Sequence, residues 1–294
     1  MVGAGVVGLT CAIRLLEAGH RVDVVARDLP RETTSAVAAA LWHPYLAYPP
    51  DKVAAWAGRS YEVLAGLADD EASGVRMLPG TELLAEPAVR PWWGAAVPDL
   101  RSTTELPAGY AGGWSFTAPV VDMPVHLDWL RARLLARGGT LTRLNVRSLP
   151  GGADLVVNCA GLGARLLGAD LSVTPVRGQV VVVEQVGLER WWLDPAAVTY
   201  VVPRADEIVV GGTDDEGDWS RTPDPATAIA LLERAVALVP ELAAARVLRH
   251  RVGLRPVRPA VRLERVERVV HCYGHGGSGV TLAWGCADEV VGLV

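Results

Sequence analysis

The sequence predicts a mixed α/β (α+β) chain, in which a Rossmann-like dinucleotide-binding domain is interleaved with an antiparallel-sheet domain. Three observations predict it. Gly3, Gly5 and Gly8 stand in G-x-G-x-x-G spacing at the head of the chain, before an apolar helical run and a strand. A second glycine-rich loop, Tyr273-Gly274-His275-Gly276-Gly277-Ser278-Gly279-Val280-Thr281, precedes a helix at the other end. Between the two, strand-like runs at 179–184, 199–203 and 207–212 follow one another without a helix, as antiparallel strands do.

The elements follow in order. Gly3 permits the tight turn, Gly5 lets a pyrophosphate approach the backbone, and Gly8 lets the helix pack on the sheet. The helix runs from Val6 to Ala18 and ends at Gly19; residues 21–26 read as a strand. Asp28 lies where an acid can hold ribose hydroxyls. Only Met1 and Val2 precede Gly3, where a buried strand is expected, so the chain reads as cut or as starting too far downstream. A polar loop to Ser35 leads into the small-residue run 36–45, read either as backbone close to something flat or as a short Ala-rich helix closed by Pro44.

Residues 52–69 have helical period, 75–78 and 81–85 look like short strands, and 86–113 read as irregular. A helix is expected over 124–137, with Asp122 or Met123 near its cap and Gly138-Gly139 closing it. Strands are expected over 140–146 and 155–159, the second ending in a turn at Gly161 where a nucleotide could lie. Asp224 and Pro225 open a helix over 225–239. Residues 262–267 read as an edge or turn, 269–273 as a strand, and 280–294 as a helix. The expected division is a cofactor domain of residues 1–45, 112–175 and 259–294, and a substrate domain of residues 46–111 and 176–258.

Composition narrows the partners. Net charge is −5 with no basic run, which argues against nucleic acid. No apolar stretch reaches the roughly 18 residues of a membrane span, and no signal peptide is visible, so a cytoplasmic enzyme is expected. Lysine occurs only at Lys52 while arginine abounds, which hints at a GC-rich bacterial genome. Cys11, Cys159, Cys272 and Cys286 lack C-x-x-C spacing and read as buried free thiols, with no metal implied.

Two glycine loops at opposite ends suggest a ligand larger than a nicotinamide dinucleotide, such as FAD. His275, between glycines, reads as structural. The stretch Val252-Gly253-Leu254-Arg255-Pro256-Val257-Arg258-Pro259 holds two arginines on a proline-stiffened backbone. A guanidinium offers the planar fork that binds a carboxylate, although surface arginines in salt bridges are commoner. The apolar neighbours point at least one arginine inward.

On these stretches the chain resembles the D-amino-acid oxidases of the FAD-dependent amine oxidoreductases. Residues 26–30, 33–45, 156–161, 176–179 and 200–203 carry the likeness too. The Gly-Leu-Arg-Pro and Tyr-Gly-His-Gly-Gly stretches are specific to this family and to the related D-aspartate oxidases. The resemblance implies that Arg255 clamps a substrate carboxylate, that Tyr200 adds a hydroxyl to it, and that the Gly277 carbonyl accepts from the substrate amine. It implies that FAD is held by Gly3, Gly5, Val6, Val7, Gly8, Arg27, Asp28, Thr34, Ser35, Leu41, Val146, Gly161, Gly276, Gly277, Ser278, Gly279, Val280 and Thr281. Arg177, Gly178 and Gln179 match a stretch near the flavin without a sharper role. The implied reaction is hydride transfer from Cα of a neutral D-amino acid to the flavin. It gives a 2-oxo acid and ammonia, with dioxygen reduced to hydrogen peroxide. A homodimer is a candidate assembly. Ala196 stands where the family carries a lid tyrosine, which implies a shorter or more open lid. The alternatives are an oxidase of glycine or secondary amines on the same fold, and a truncated flavin-binding homologue without turnover.

Overall fold

A computed structural model describes residues 1–294. Helix α1 (Val6–Glu17) starts directly after the glycine turn and buries Val6, Leu9, Ile13 and Leu15. Strand β1 (Asp23–Ala26) follows. No Ala-rich helix forms after it: two short 3-10 turns, Pro30–Glu32 and Thr34–Val37, give way to extended chain, and Ala40 takes a left-handed φ of 60°. Helix α2 (Pro50–Leu67) begins with proline at its first position, where the missing N–H costs nothing.

Strand β2 (Val75–Leu84) is continuous where two short strands are expected. Pro79 does not break it, because its partner Thr117 makes no demand on the ladder there. The Thr117 N–H goes to Asp99, and its carbonyl accepts from the Tyr61 hydroxyl at 2.8 Å. Strands β3 (Arg101–Thr103) and β4 (Gly112–Val121) come next. The expected boundary at 112 assigns β4 to the cofactor domain, yet β4 pairs along its whole length with β2 on the other side of that boundary. Helix α3 (Met123–Ala136) is capped by Asp122.

Strands β5 (Thr140–Arg143) and β6 (Val156–Asn158) are shorter than expected. They are followed by the one-turn helix α4 (Ala164–Leu167), then by β7 (Thr174–Glu184), β8 (Trp191–Asp194), β9 (Thr199–Pro203), β10 (Glu207–Gly211) and the short β11 (Asp215–Glu216). Asp224 caps α5 (Pro225–Leu238), its carboxylate accepting from the Thr227 N–H at 2.8 Å. Strand β12 (Val247–Val266) absorbs both the Arg-Pro stretch and residues 262–266, which pair with β13 alone and so form a local edge, with the turn following at Glu267, in keeping with the expected edge or turn. Its alternating charges are those of a partly exposed strand, with a bulge between Val257 and Arg262. Strand β13 (Val269–His275) and helix α6 (Gly279–Leu293) close the chain.

The sheet runs β3-β4-β2-β8-β9-β10-β7-β12-β13-β6, with β5 and β1 paired separately. Val2 joins the two parts by parallel bridges to Val25 and Asn158. Its N–H donates to Val157 O at 2.9 Å, Cys159 N–H donates to Val2 O at 2.8 Å, and Val25 N–H donates to Met1 O at 2.9 Å. Two residues thus serve as the inner strand that the fingerprint requires. Pairing is parallel at this end (β1 with β5, β13 with β6) and antiparallel elsewhere except between β2 and β8, which run parallel. Helices α1, α3 and α6 pack together over the parallel end, and α5 covers β7, β9 and β10. The glycine turn therefore opens at the carboxyl ends of parallel strands, where α/β sheets bind ligands.

Candidate active site

The glycine turn is built by close contacts. Gly3 has φ +107°, and a Cβ there would stand 2.4 Å from Cys159 O. A Cβ on Gly8 would stand 2.1 Å from Gly3 O, so the helix packs on the turn through that missing side chain. Gly5 is the N-cap of α1, with no side-chain cap and no acid in the first turn. That end presents N–H groups and the positive end of the helix dipole. Ser35 Oγ accepts from Val6 N–H at 3.1 Å.

A cleft of about 430 Å³ opens there. It brings together Gly3, Gly5, Val6, Val7, Gly8, Arg27, Asp28, Thr34, Ser35, Val146, Gly161, Gly276, Gly277, Gly279 and Val280 from the expected set. Arg27 and Asp28 are paired to each other at 3.0 and 2.6 Å, and the guanidinium holds the Asp28 carboxyl below its usual range. Leu41 and Thr281 lie on a neighbouring chamber. Ser278 reaches neither cavity. Its hydroxyl accepts from Tyr45 N–H and donates to Tyr45 O, pinning the glycine loop to the 43–46 segment.

The chamber, about 130 Å³, is lined by Leu41, Leu193, Pro195, Val198 and Val202, with His43, Tyr45, Tyr200, Arg255, Gly277 and Thr281 as its polar groups. Tyr200, Arg255 and Gly277 line both cavities and so stand on the shared wall. Arg255 projects from β12 across β7, where Gly178 leaves room: a Cβ there would stand 2.6 Å from the guanidinium carbon. This gives the Arg177-Gly178-Gln179 stretch its roles. Gly178 makes space for Arg255. Arg177 donates to Asp215 at 2.9 Å and to Thr222 O at 2.8 Å, and Gln179 bonds both N–H and C=O of Asp224, so the two fasten residues 213–224. Tyr200 lies over Gly211, where a Cβ would meet its ring at 2.2 Å. Burial pushes its phenol up, and Arg255 opposes that shift.

Ala196 is exposed in the turn Pro195–Val198 that joins β8 to β9. Asp194 ties this turn down by accepting from the N–H groups of Ala196 and Ala197. Arg258 points the other way from Arg255: its Nε donates to Asp170 at 2.8 Å. Arg204, which could be read as facing solvent, is 4% exposed and donates to Ala38 O at 2.7 Å and Glu207 at 3.0 Å.

All four cysteines are free and buried. Cys11, Cys159 and Cys272 converge within 4.8 Å, as do Cys272, His275 and Cys286, a clustering the spacing did not reveal. The thiol of Cys11 is pushed well up by neighbouring Cys159 and Cys272 and by burial. His275 lines the cleft at 4% exposure, its Nε2 3.8 Å from Cys272 Sγ.

Sequence reasoning missed three site residues. Arg221 lines the cleft and helps hold the Asp28 carboxyl down. Tyr45 lines the chamber, and a Cβ on Gly277 would stand 2.6 Å from its ring. Asp214 accepts from Arg255 at 2.8 Å and from the Tyr45 hydroxyl. Burial pushes its carboxyl up while Arg255 pulls it down. No local signal marks these residues, since each acts across a long separation in sequence.

The model of a family described as FAD dependent oxidoreductase matches residues 1–293. A D-amino-acid oxidase of Rubrobacter xylanophilus is 54% identical over 307 residues, covering 100% of this chain and 94% of its own. A D-amino-acid oxidase of Streptomyces coelicolor is 47% identical, covering 100% of this chain and 95% of its own. Human D-aspartate oxidase is 35% identical over 100% of this chain and 93% of its own. The crystal structure of glycine oxidase from Geobacillus kaustophilus shares the fold, with a TM-score of 0.85 at 21% identity over 99% of this chain and 92% of that one.

Proposed function

Since the chain belongs to the FAD dependent oxidoreductase family, we propose that it is an FAD-dependent D-amino-acid oxidase that prefers neutral substrates and holds their carboxylate with Arg255. The observation that carries this reading is the position of Arg255 on the wall between the long cleft and the small apolar chamber.

The cleft fits the cofactor. The start of α1, which has no acid in its first turn, and the backbone of Gly5, Gly276 and Gly277 line the cleft; the last two stay side-chain-free because a Cβ there would strike Leu46 O or the Tyr45 ring. Gly3 to Gly8 with Ser35 would hold the pyrophosphate, Arg27 and Asp28 the ribose, and Gly161 with 276–281 the ring system. When bound, FAD accepts the hydride from substrate Cα.

The chain's own contribution is positioning. Arg255 supplies the carboxylate fork and Tyr200 a further hydroxyl. The Gly277 carbonyl accepts from the amine. Three attachments fix which face of Cα meets the cleft, which selects the D-enantiomer. The apolar wall of Leu41, Leu193, Pro195, Val198 and Val202 receives the side chain and excludes water. The imino acid leaves and is hydrolysed by water to the 2-oxo acid and ammonia, while dioxygen takes the two electrons and becomes hydrogen peroxide. Residues 1–45, 122–175 and 259–294 form the cofactor domain on this reading, with β4 moved to the substrate domain because it pairs with β2. A cytoplasmic enzyme remains part of this reading, and no helix is long and apolar enough to cross a membrane.

The test is visible absorption of the purified protein. A flavin spectrum that bleaches with D-alanine in the absence of air is expected. Turnover of N-methylglycine above D-alanine would transfer the chain to the secondary-amine oxidases, and a bound flavin that no amino acid bleaches would leave it without turnover.

A further inference from the structure

Asp214 is the one acid that touches the carboxylate clamp. Its Oδ1 accepts from Arg255 Nη1 at 2.8 Å, its Oδ2 accepts from the Tyr45 hydroxyl, and Arg255 Nη1 also donates to Thr213 O at 2.7 Å. Arg255 and Tyr45 both line the chamber, whereas Asp214 lines neither cavity. It therefore grips both groups from behind, and leaves the other edge of the guanidinium to the ligand. The next acid, Asp215, is neutralised by Arg177 at 2.9 Å, so it does not share this role.

We propose that Asp214 is the specificity-determining residue of this site, positioning Arg255 and Tyr45 and cancelling the charge of Arg255 so that a substrate with a second carboxylate is rejected. The proposal rests on the clamp reading above and deepens it. The chamber holds no lysine and no arginine besides Arg255. With Asp214 ionised behind it, the clamp pair is neutral. A neutral D-amino acid brings one carboxylate and one ammonium. An acidic one brings a further anion into a small apolar chamber backed by Asp214. Two like charges ~8 Å apart at an effective dielectric of about 20 repel by a factor of roughly thirty in binding.

The experiment compares kcat/KM for D-glutamate and D-alanine in the flavin-loaded wild type, Asp214→Asn, Asp214→Glu and Arg255→Ala. Asp214→Asn keeps the size and removes the charge. It should raise the D-glutamate to D-alanine ratio about thirtyfold, mostly through KM for D-glutamate. Asp214→Glu restores the charge on a longer arm and should return the ratio to the wild-type value even if both activities fall. If the ratio in Asp214→Asn stays at the wild-type value while both activities fall together, the residue is only structural and the proposal is overturned. It is overturned equally if Asp214→Glu shows the ratio of Asp214→Asn. Arg255→Ala separates the two levels: undiminished turnover of D-alanine by that variant would overturn the clamp itself, and the selectivity with it.

Discussion

The cleft proposed for FAD is rich in glycine, whereas the chamber beside it has Gly277 as its one glycine. Glycines and one helix end shape the first, and some of its polar side chains are already engaged, Ser35 accepting from the Val6 N–H and Arg27 donating to Asp28. The second draws Tyr45, Tyr200, Asp214 and Arg255 from distant segments, and glycines at 178, 211 and 277 make room for their side chains. Backbone recognition tolerates changes in neighbouring side chains but not an added Cβ. Side-chain recognition fails when one functional group is lost. The two regions should therefore break in opposite ways.

The sharpest test is Arg255→Ala. A charge-assisted bond contributes about 1.5–3 kcal/mol. Losing orientation near the reacting bond can cost roughly a further hundredfold. Steady-state oxidation of D-alanine should fall by about three orders of magnitude in kcat/KM, with flavin content unchanged. Loss of flavin together with activity would mean that the two regions are not separable.

The converse test is Gly8→Val. The added Cβ meets a backbone oxygen at 2.1 Å, which no rotamer relieves. Overpacking of this kind costs about 1–3 kcal/mol or more, equivalent to roughly ten- to a hundredfold in FAD affinity. Fluorescence titration of the apoprotein with FAD measures it. Retention of wild-type affinity would show that the close approach of α1 to the turn does not matter to the cofactor.

The same contrast explains what is legible in the sequence. The G-x-G-x-x-G turn is a local object, so spacing alone locates Gly3, Gly5 and Gly8. Arg255 stands out through the stiff prolines beside it. Tyr45 and Asp214 meet across 169 residues, and nothing near either announces the other. Strand β12 is hidden because its charged positions outnumber its buried ones. Arg204 is easily misread because burial of an arginine depends on a distant carbonyl, that of Ala38, which no local pattern supplies. Val2 escapes because two residues are too few to register as a strand, although their ladder bonds complete the sheet.

A smaller effect is expected from Tyr200→Phe. The ring stays over Gly211 and only the hydroxyl is lost. A neutral hydrogen bond is worth about 0.5–1.5 kcal/mol, so kcat/KM for D-alanine should fall about tenfold or less. A drop as large as that of Arg255→Ala would make the tyrosine, and not the guanidinium, the principal anchor.

The least effect on catalysis belongs to Arg258→Ala, three positions from Arg255 on the same strand. Its partner Asp170 sits at 9% exposure, where burial would raise the carboxyl, yet hydrogen bonds from Ser172, Arg258 and Tyr273 outweigh that and hold it at about 2. The folded value lies below the unfolded one of 3.8, so the stabilisation is fully present above that value and is lost as pH falls through about 2. Removing the arginine should cost about 1–2 kcal/mol at neutral pH, since its own side chain is 25% exposed and partly screened. That corresponds to a Tm lower by roughly 2–6 °C. The gap between the wild type and Arg258→Ala in thermal scans should hold from neutral pH to about pH 4 and close as Asp170 protonates below it. A gap that persists unchanged at pH 2 would mean that Arg258 stabilises through its bond to Ala260 O and the packing of its stem, not through the carboxylate.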